Sequence, residues 1–314
     1  MSHSQHQVLQ QAAAWYALLR SERASEQDQA KWRHWHDQHP EHRHAWSLVE
    51  RVGGRFGQFG DSAEKHGALA ALRAGGSAGI SRRRTLLSLG GLGLASWLGW
   101  RTLDAGGSGW FADYATRTGE HRHVALAGGG QLWLNTLSAV DLQRDGGLKL
   151  ISGEILLDDQ QRRGATFRIT TPVAELTSQQ ALFNLRLAEA GLCLGVYAGV
   201  VEVACNGRSL RVQQGQQLRV GHQGLGPLLP ANEAHRAWVN GVMVADGTPL
   251  GQVVAELARY RHGYLGCDPR VAQLPVVGTF SIRDTDRALA SLASALPVRV
   301  SRVLPWWVSL EARA

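Results

Sequence analysis

The sequence predicts a multidomain protein. Its parts are a small N-terminal three-helix bundle, one transmembrane helix, a β-rich region built as a sandwich or roll, and a C-terminal α+β module of β-α-β-β-α-β order. Three observations carry this prediction. An uncharged stretch, Thr85 to Trp100 (TLLSLGGLGLASWLGW), divides the chain. Apolar residues before it recur at helical spacing, and after it they alternate in short runs between glycine-rich turns. The length of 314 residues exceeds one ordinary domain and suffices for two or three.

Arg84 and Arg101 bound the uncharged stretch. As a helix it would span roughly 24 Å, against the ~30 Å of a hydrocarbon core. Snorkelling arginines at the ends and interfacial Trp97 and Trp100 make up much of the difference. A buried core helix is the competing assignment. The stretch is apolar on every side, however, rich in glycine, and preceded by the Gly/Ser/Ala run Ala74 to Gly79. A cleaved secretory signal would begin at the N-terminus, whereas a long helically patterned segment precedes this one. Arg82, Arg83 and Arg84 orient the helix with its N-terminal side in the cytoplasm, where basic residues are retained. The run Ser81-Arg82-Arg83-Arg84-Thr85-Leu86-Leu87 also fits a twin-arginine export signal, and both explanations of the triplet stay open. The expected division is therefore 1–60 helical and cytoplasmic, 61–84 linker, 85–103 membrane helix, 110–224 β-rich and 235–314 α+β, the last two beyond the membrane.

Bulk composition narrows the function classes. Hydrophobic residues make up 44% and charged residues 19%, a globular composition that excludes wholesale disorder. The net charge of +7 is spread over every segment, whereas nucleic-acid binding usually needs one dense basic face. None of Cys193, Cys205 and Cys267 sits in a CxxC pair, which removes zinc-ribbon and thioredoxin-type functions. No nucleophile elbow, Walker loop or HExxH motif occurs, so neither an enzyme nor a bound cofactor is expected.

Three helices fit residues 6 to 52. Val8, Ala12, Trp15 and Leu19 make one apolar stripe. Ser25-x-x-Asp28 opens the second helix as a capping box, followed by Trp32 and Trp35. Pro40 lies in the first turn of the third, with Ala45, Leu48, Val49 and Val52 on one side and Gly53-Gly54 at its stop. Large aliphatics are few, so Trp15, Trp32, Trp35 and Trp46 must supply much of the apolar contact. A bundle this small is marginal alone, which suits a partner-binding role. His34, His36, His39, His42 and His44 crowd the same region. At two-residue spacing on a helix, side chains point roughly 160–200° apart, which favours a solvated polar face over a metal site.

Short strands are expected at Gln131 to Leu134, Ala139 to Leu142, Lys149 to Ile151, Ile155 to Leu157, Thr166 to Thr170, Leu182 to Leu187, Leu192 to Tyr197, Val200 to Ala204, Ser209 to Val212 and Gln217 to Val220. Gly128-Gly129-Gly130, Gly146-Gly147 and Asn206-Gly207 mark turns. Closely spaced short strands suit a sandwich, a roll or a solenoid-like stack. With a turn at Ala198-Gly199, Cys193 and Cys205 fall on neighbouring strands; pairing, or burial as small hydrophobes, both stay open. After a linker, His222 to Asn232, the expected elements are strand Trp238 to Val244, a helix from Thr248-Pro249, strands near Tyr264 to Cys267 and Val276 to Ile282, a helix capped by Asp284, and strands Val298 to Val303 and Trp306 to Leu310. The β-α-β-β-α-β order places the helices on one sheet face and leaves edges open to a partner strand.

Taken together, the chain resembles the FecR family of bacterial transmembrane sigma regulators. AAAWYALLRSE and HPEHRHAWSLVERV resemble the family's cytoplasmic anti-sigma domain. GEHRHVALAGGGQLWLNTLSAVDL, GEILLD and LFNLRL resemble its periplasmic β domain. DGTPLGQVVAELARYRHGYL and VVGTFSIRDTDRALASLASALPVRV resemble its C-terminal domain, which is similar to the short N-terminal modules of secretins and TonB-dependent receptors.

The resemblance implies an inner-membrane protein with one span. Its periplasmic part would answer the signalling domain of a TonB-dependent outer-membrane receptor, usually for an iron-siderophore. Regulatory proteases would then free the cytoplasmic domain, which controls an extracytoplasmic-function sigma factor. Trp15, Trp32, Trp35 and Trp46 match the family's tryptophan pattern and are the candidates for sigma contact or its support. Many relatives carry a Gly-Thr pair before the Phe-Asn of the β domain, and some self-cleave there. The aligned pair here is Gln180-Ala181, and alanine offers no nucleophile. A membrane-anchored structural or assembly protein with a secretin-like interaction module is the rival function.

Overall fold

The computed structural model describes residues 3–21, 24–54, 112–161, 166–221 and 223–313. The expected membrane helix, 85–103, and Arg82, Arg83 and Arg84 lie outside the described residues. Among the described residues, no helix is long and apolar enough to cross a membrane. The chain divides into two compact units. One is the β-rich unit, residues 82–244 with 279–283. The other combines residues 1–81 with 245–278 and 284–314.

The β-rich unit holds one eleven-stranded sheet in the order β1-β4-β5-β6-β7-β8-β10-β11, with β2 and β3 reaching β5 and with β9 on β8. Its strands are β1 (Tyr114–Ala115), β2 (Arg122–Ala125), β3 (Gln131–Leu134), β4 (Ala139–Leu142), β5 (Leu148–Asp158), β6 (Phe167–Thr170), β7 (Glu175–Ala188), β8 (Gly191–Cys205), β9 (Arg208–Gln213), β10 (Gln216–Gly221) and β11 (Gly224–Pro230). Three long strands organise it, and each changes neighbours along its length. The first half of β5 pairs with β4 and β6, the second with β3 and β7. The first half of β8 pairs with β10, the second with β9. The sheet therefore rolls about one core, in which Leu134, Ile155, Leu157, Ile169, Phe183, Leu194 and Val203 are fully buried. Of the three arrangements expected, this is the roll.

Two expected strand pairs are single strands. Lys149 to Ile151 and Ile155 to Leu157 are parts of β5. Leu192 to Tyr197 and Val200 to Ala204 are parts of β8, because the strand runs on through Ala198-Gly199, opposite a bulge of β7, instead of turning there. Cys193 and Cys205 consequently sit on the same strand, about 40 Å apart along its length at ~3.3 Å per residue. They cannot pair, and all three cysteines are free. The stretch expected as a linker contains β11, an edge strand. Only at an edge can Pro227 and Pro230 lack a donor without breaking a ladder. A 3-10 helix, Glu233–Asn240, takes the first part of the strand expected from Trp238.

In the other unit, α1 (His3–Leu19), α2 (Glu26–Gln38) and α3 (residues 40–54) form the bundle. The capping box at Ser25 forms as expected: its Oγ accepts from the Asp28 amide at 3.2 Å, and Asp28 Oδ2 accepts from the Ser25 amide at 3.1 Å. The Ser25 hydroxyl, which donates to Asp28 Oδ2 at 2.7 Å, and the Ser25 amide together hold the Asp28 carboxyl below its ordinary range. His39 is extended, as the residue before Pro40 must be, and separates α2 from α3. Gly53 and Gly54, expected as a stop, are helical.

The C-terminal elements are β12 (Val242–Pro249), α4 (Leu250–Ala258), β13 (Tyr264–Cys267), β14 (Pro275–Ser281), α5 (Thr285–Ala295), β15 (Val298–Leu304) and β16 (Trp307–Ala312). Asp284 caps α5 through the Arg287 amide at 2.9 Å, as expected. The strands form two sheets rather than one, β12-β14 and β13-β16-β15.

Residues 1–60 and 235–314 were expected to stand apart. In the structure α1 packs on β15, and Gln10 Nε2 donates to Ser309 Oγ on β16 at 2.7 Å. Leu9, Ala12, Ala13, Tyr16, Ala45, Trp46 and Val49 share one buried cluster with Trp307. Each part has an apolar face that its own residues leave bare, and here the two faces cover one another. A bilayer between the parts would leave both faces to other partners.

Candidate functional site

The four tryptophans of the helical bundle do not make one exposed patch. Trp46 on α3 is buried, with its ring 4.8 Å from that of Trp32 and 5.9 Å from that of Tyr16. Trp32 is half-buried, and its indole N–H has no hydrogen-bond partner. Trp35 is a half-buried joint between all three helices. It donates to Gln11 Oε1 on α1 at 3.0 Å and stacks on His42 of α3 at 4.5 Å and 8°. The same His42 donates Nδ1–H to the Trp35 carbonyl at 2.6 Å, satisfying an acceptor at the C-terminal end of α2. Trp15, also half-buried, packs beside the cluster. These rings chiefly hold the bundle together. Trp32, Trp35 and Trp15 retain the exposed surface a partner could touch.

Sequence periodicity missed the centre of this face. Of the stripe Val8, Ala12, Trp15, Leu19 only Ala12 is buried, and the other three are half-buried to one side; Leu9, Ala13 and Tyr16, at the same i, i+4, i+7 spacing, are all buried. Two overlapping apolar stripes exist on α1, and only tertiary contact decides which is central. Among the described residues, no three His, Cys, Asp or Glu side chains converge as a metal site. His34 instead meets Gln38 at 3.0 Å, and His36 meets Asp37 at 2.9 Å, both pairs in contact with solvent.

Gln180 and Ala181 lie together at the bulge of β7. Register runs from Gln179↔Val200 to Leu182↔Ala198, so these two residues oppose the single Gly199. Gln180 has φ +49, a left-handed conformation costly for a residue with a Cβ. Ala181 is fully buried. Its amide donates to Asp159 Oδ1, and its carbonyl accepts from the Asp159 amide at 3.0 Å. Asp159, 1% exposed, also accepts from Ser178 Oγ at 2.7 Å. The backbone is strained and a carboxylate is beside it, but Ala181 brings no hydroxyl or thiol to attack its own preceding carbonyl. The purified chain is expected to run as a single polypeptide; fragments divided between Gln180 and Ala181 would refute this.

A polar cluster that sequence reasoning did not find lies nearby in the same unit. Glu154 on β5, 3% exposed, accepts from Asn135 Nδ2 at 2.8 Å and Asn184 Nδ2 at 2.9 Å. Asn184 Oδ1 in turn accepts from the indole of Trp238 at 3.1 Å, which fastens the 3-10 helix to the sheet. Glu154 follows Gly153 in the GEILLD run, between two expected strands; Asn135 lies just past another, and only Asn184 falls inside one, so no local pattern joins the three. The thiols are poor nucleophiles. Burial and Asp268 push Cys267 up to about 11, and burial raises Cys193 despite Arg219.

Residues 10–52 match a domain of unknown function (DUF4880), and thus cover α1 to α3. Residues 112–202 match the FecR protein model, from before β1 into β8. Over those residues the β-rich unit is similar to the FecR family. The order of the two matches, helical segment first, is the order in which the sequence motifs were read. Two crystal structures of a candidate anti-sigma factor from Parabacteroides distasonis are similar in fold to this chain. Each is 21% identical to it, with TM-scores of 0.53 and 0.52. Each covers 64% of this chain, and the matches take in 99% and 98% of the other chains. No curated protein sequence matches the chain.

Proposed function

We propose that this protein is a FecR-family anti-sigma factor that works by binding rather than by catalysis. What supports this reading is the presence in one chain of the helical segment 10–52 and the FecR match at 112–202, with a fold over 64% of the chain similar to that of a candidate anti-sigma factor. In this reading the bundle holds an extracytoplasmic-function sigma factor through the exposed parts of Trp15, Trp32 and Trp35. Residues 85–103 cross the inner membrane, with Arg82, Arg83 and Arg84 on the cytoplasmic side. The β-rich and C-terminal parts then face the periplasm and take the signal from a TonB-dependent siderophore receptor, with regulatory proteases releasing the bundle.

The deciding experiment deletes the gene and measures transcription from the cognate sigma-dependent promoter, with and without iron. Constitutive expression identifies an inhibitor, and silence an activator the sigma factor requires. Unchanged, still iron-responsive transcription would defeat the proposal. In the same assay Trp35→Ala is expected to mimic the deletion, because it removes both exposed ring surface and the bonds to Gln11 and His42.

A further inference from the structure

Asn232 to Gly241 is the last segment of the β-rich unit before the C-terminal elements, and one large side chain seats it. Its 3-10 helix, Glu233–Asn240, buries only Trp238. Eight residues is long for a 3-10 helix, whose hydrogen bonds are poorly aligned, so the segment depends on contacts outside itself. Gly241, at φ +76, ends it, and β12 begins at the next residue. By Ala245 the chain has entered the other compact unit.

The seat is a notch in the sheet. Gly195 on β8 lies in register between Asn184 on β7 and Gln217 on β10, and it brings no side chain to fill the row. The Tyr197 hydroxyl takes that space: a Cβ at Gly195 would come within 3.2 Å of it. Asn184 accepts from the Trp238 indole at 3.1 Å, and the indole ring also stacks with His121 at 6.0 Å and 19°. Tyr197 donates to the Asn232 carbonyl at 3.2 Å, with the Arg236 guanidinium over its ring at 5.1 Å. Burial, and after it Glu233, pushes the Tyr197 hydroxyl well above its ordinary range, so it remains a donor. Two side-chain bonds and one buried indole thus close the segment, whereas β7 and β8 are paired along their length. A segment held by so little opens before the sheet does. Its inner bond is continuous with the buried cluster, because Asn184 takes the indole on Oδ1 and gives Nδ2 to Glu154.

We infer that Asn232 to Gly241 is a strap that releases from the β-rich unit while the sheet stays folded, and that its release passes a displacement of the C-terminal elements to the Glu154 cluster. The second half rests on the function proposed above, in which those elements take the signal. Closed, the strap holds Asn184 between Trp238 and Glu154. Open, Asn184 loses one partner, and the row at Gly195 lies bare to water.

Limited trypsin digestion of the full chain in detergent reads strap and sheet separately, with each cut followed by mass spectrometry. Arg236 lies in the strap and Arg219 in β10. Where opening is fast relative to cleavage, the rate at each bond tracks the open population. Trp238→Phe keeps a ring and removes the N–H, and Tyr197→Phe keeps the ring and removes the hydroxyl. Each is expected to speed cleavage after Arg236 about fivefold and to leave cleavage after Arg219 unchanged. The double variant is expected to multiply the two effects, since the bonds have separate partners. An unchanged rate after Arg236, or an equal rise after Arg219, overturns the strap. In the transcription assay, Trp238→Phe is expected to give with iron present the output that the natural chain gives only without it. Faster cleavage with an unaltered iron response overturns the coupling to the signal. Transcription indifferent to loss of the whole gene sinks the anti-sigma reading and that coupling together, while the cleavage rates still decide the strap, so the two failures are distinguishable.

Discussion

Glu154→Ala is expected to destabilise the β-rich unit by about 3–5 kcal/mol, a large part of the roughly 5–15 kcal/mol that holds an ordinary domain together. The carboxylate is 3% exposed and is the acceptor for two buried side-chain amides, Asn135 and Asn184. Truncation strands both donors, and each stranded buried donor costs about 1–3 kcal/mol. Asn184 also carries Trp238 on its other atom, so its loss of register loosens the 3-10 helix. Glu154→Gln separates charge from connectivity. Its carbonyl serves one asparagine while its own amide meets the other donor to donor, so about half of the loss is expected. Urea unfolding of the full chain, followed by the fluorescence of Trp133 and Trp238, measures both. Midpoints for Glu154→Ala within experimental error of the natural chain would show that water replaces the lost acceptor.

Gly199→Ala is expected to have a comparable effect by a different route. Gly199 has φ +69, and a Cβ there would lie 2.4 Å from the Gln180 carbonyl oxygen and 2.8 Å from the Ala181 Cα. Both are backbone atoms of the paired strand, so no side chain can rotate away. The left-handed conformation costs an alanine roughly 1–2 kcal/mol, and forced strand displacement adds about 1–3 kcal/mol. Gly207→Ala is the control. It has a similar φ of +73 but open space around it, so only the conformational cost remains. Equal midpoints for the two variants would mean that the strands separate freely at the bulge.

The bulge also shows where sequence reasoning stopped. Ala198-Gly199 carries the composition of a turn, and the reading of two short strands followed from it. A glycine in a left-handed conformation serves a turn and a bulge equally. What decides between them is whether the next residues pair with the same neighbour, and here β7 continues alongside β8 past the bulge. The consequence reached the cysteines. Neighbouring strands would have brought Cys193 and Cys205 together; one continuous strand holds them apart.

Local chemistry was legible wherever the deciding partners lie within a few residues. The Ser25–Asp28 box, the break before Pro40 and the Asp284 cap all follow from short-range bonding and backbone sterics. The family was legible too, because its motifs are runs of adjacent residues. Tertiary structure alone decided that Tyr16 rather than Trp15 centres the apolar face of α1, that Glu154 is buried among asparagines from other strands, and that Trp307 lies under a helix. Each depends on groups tens or hundreds of residues away. Burial and hydrogen bonding respond to distance in space, and a sequence pattern records distance along the chain.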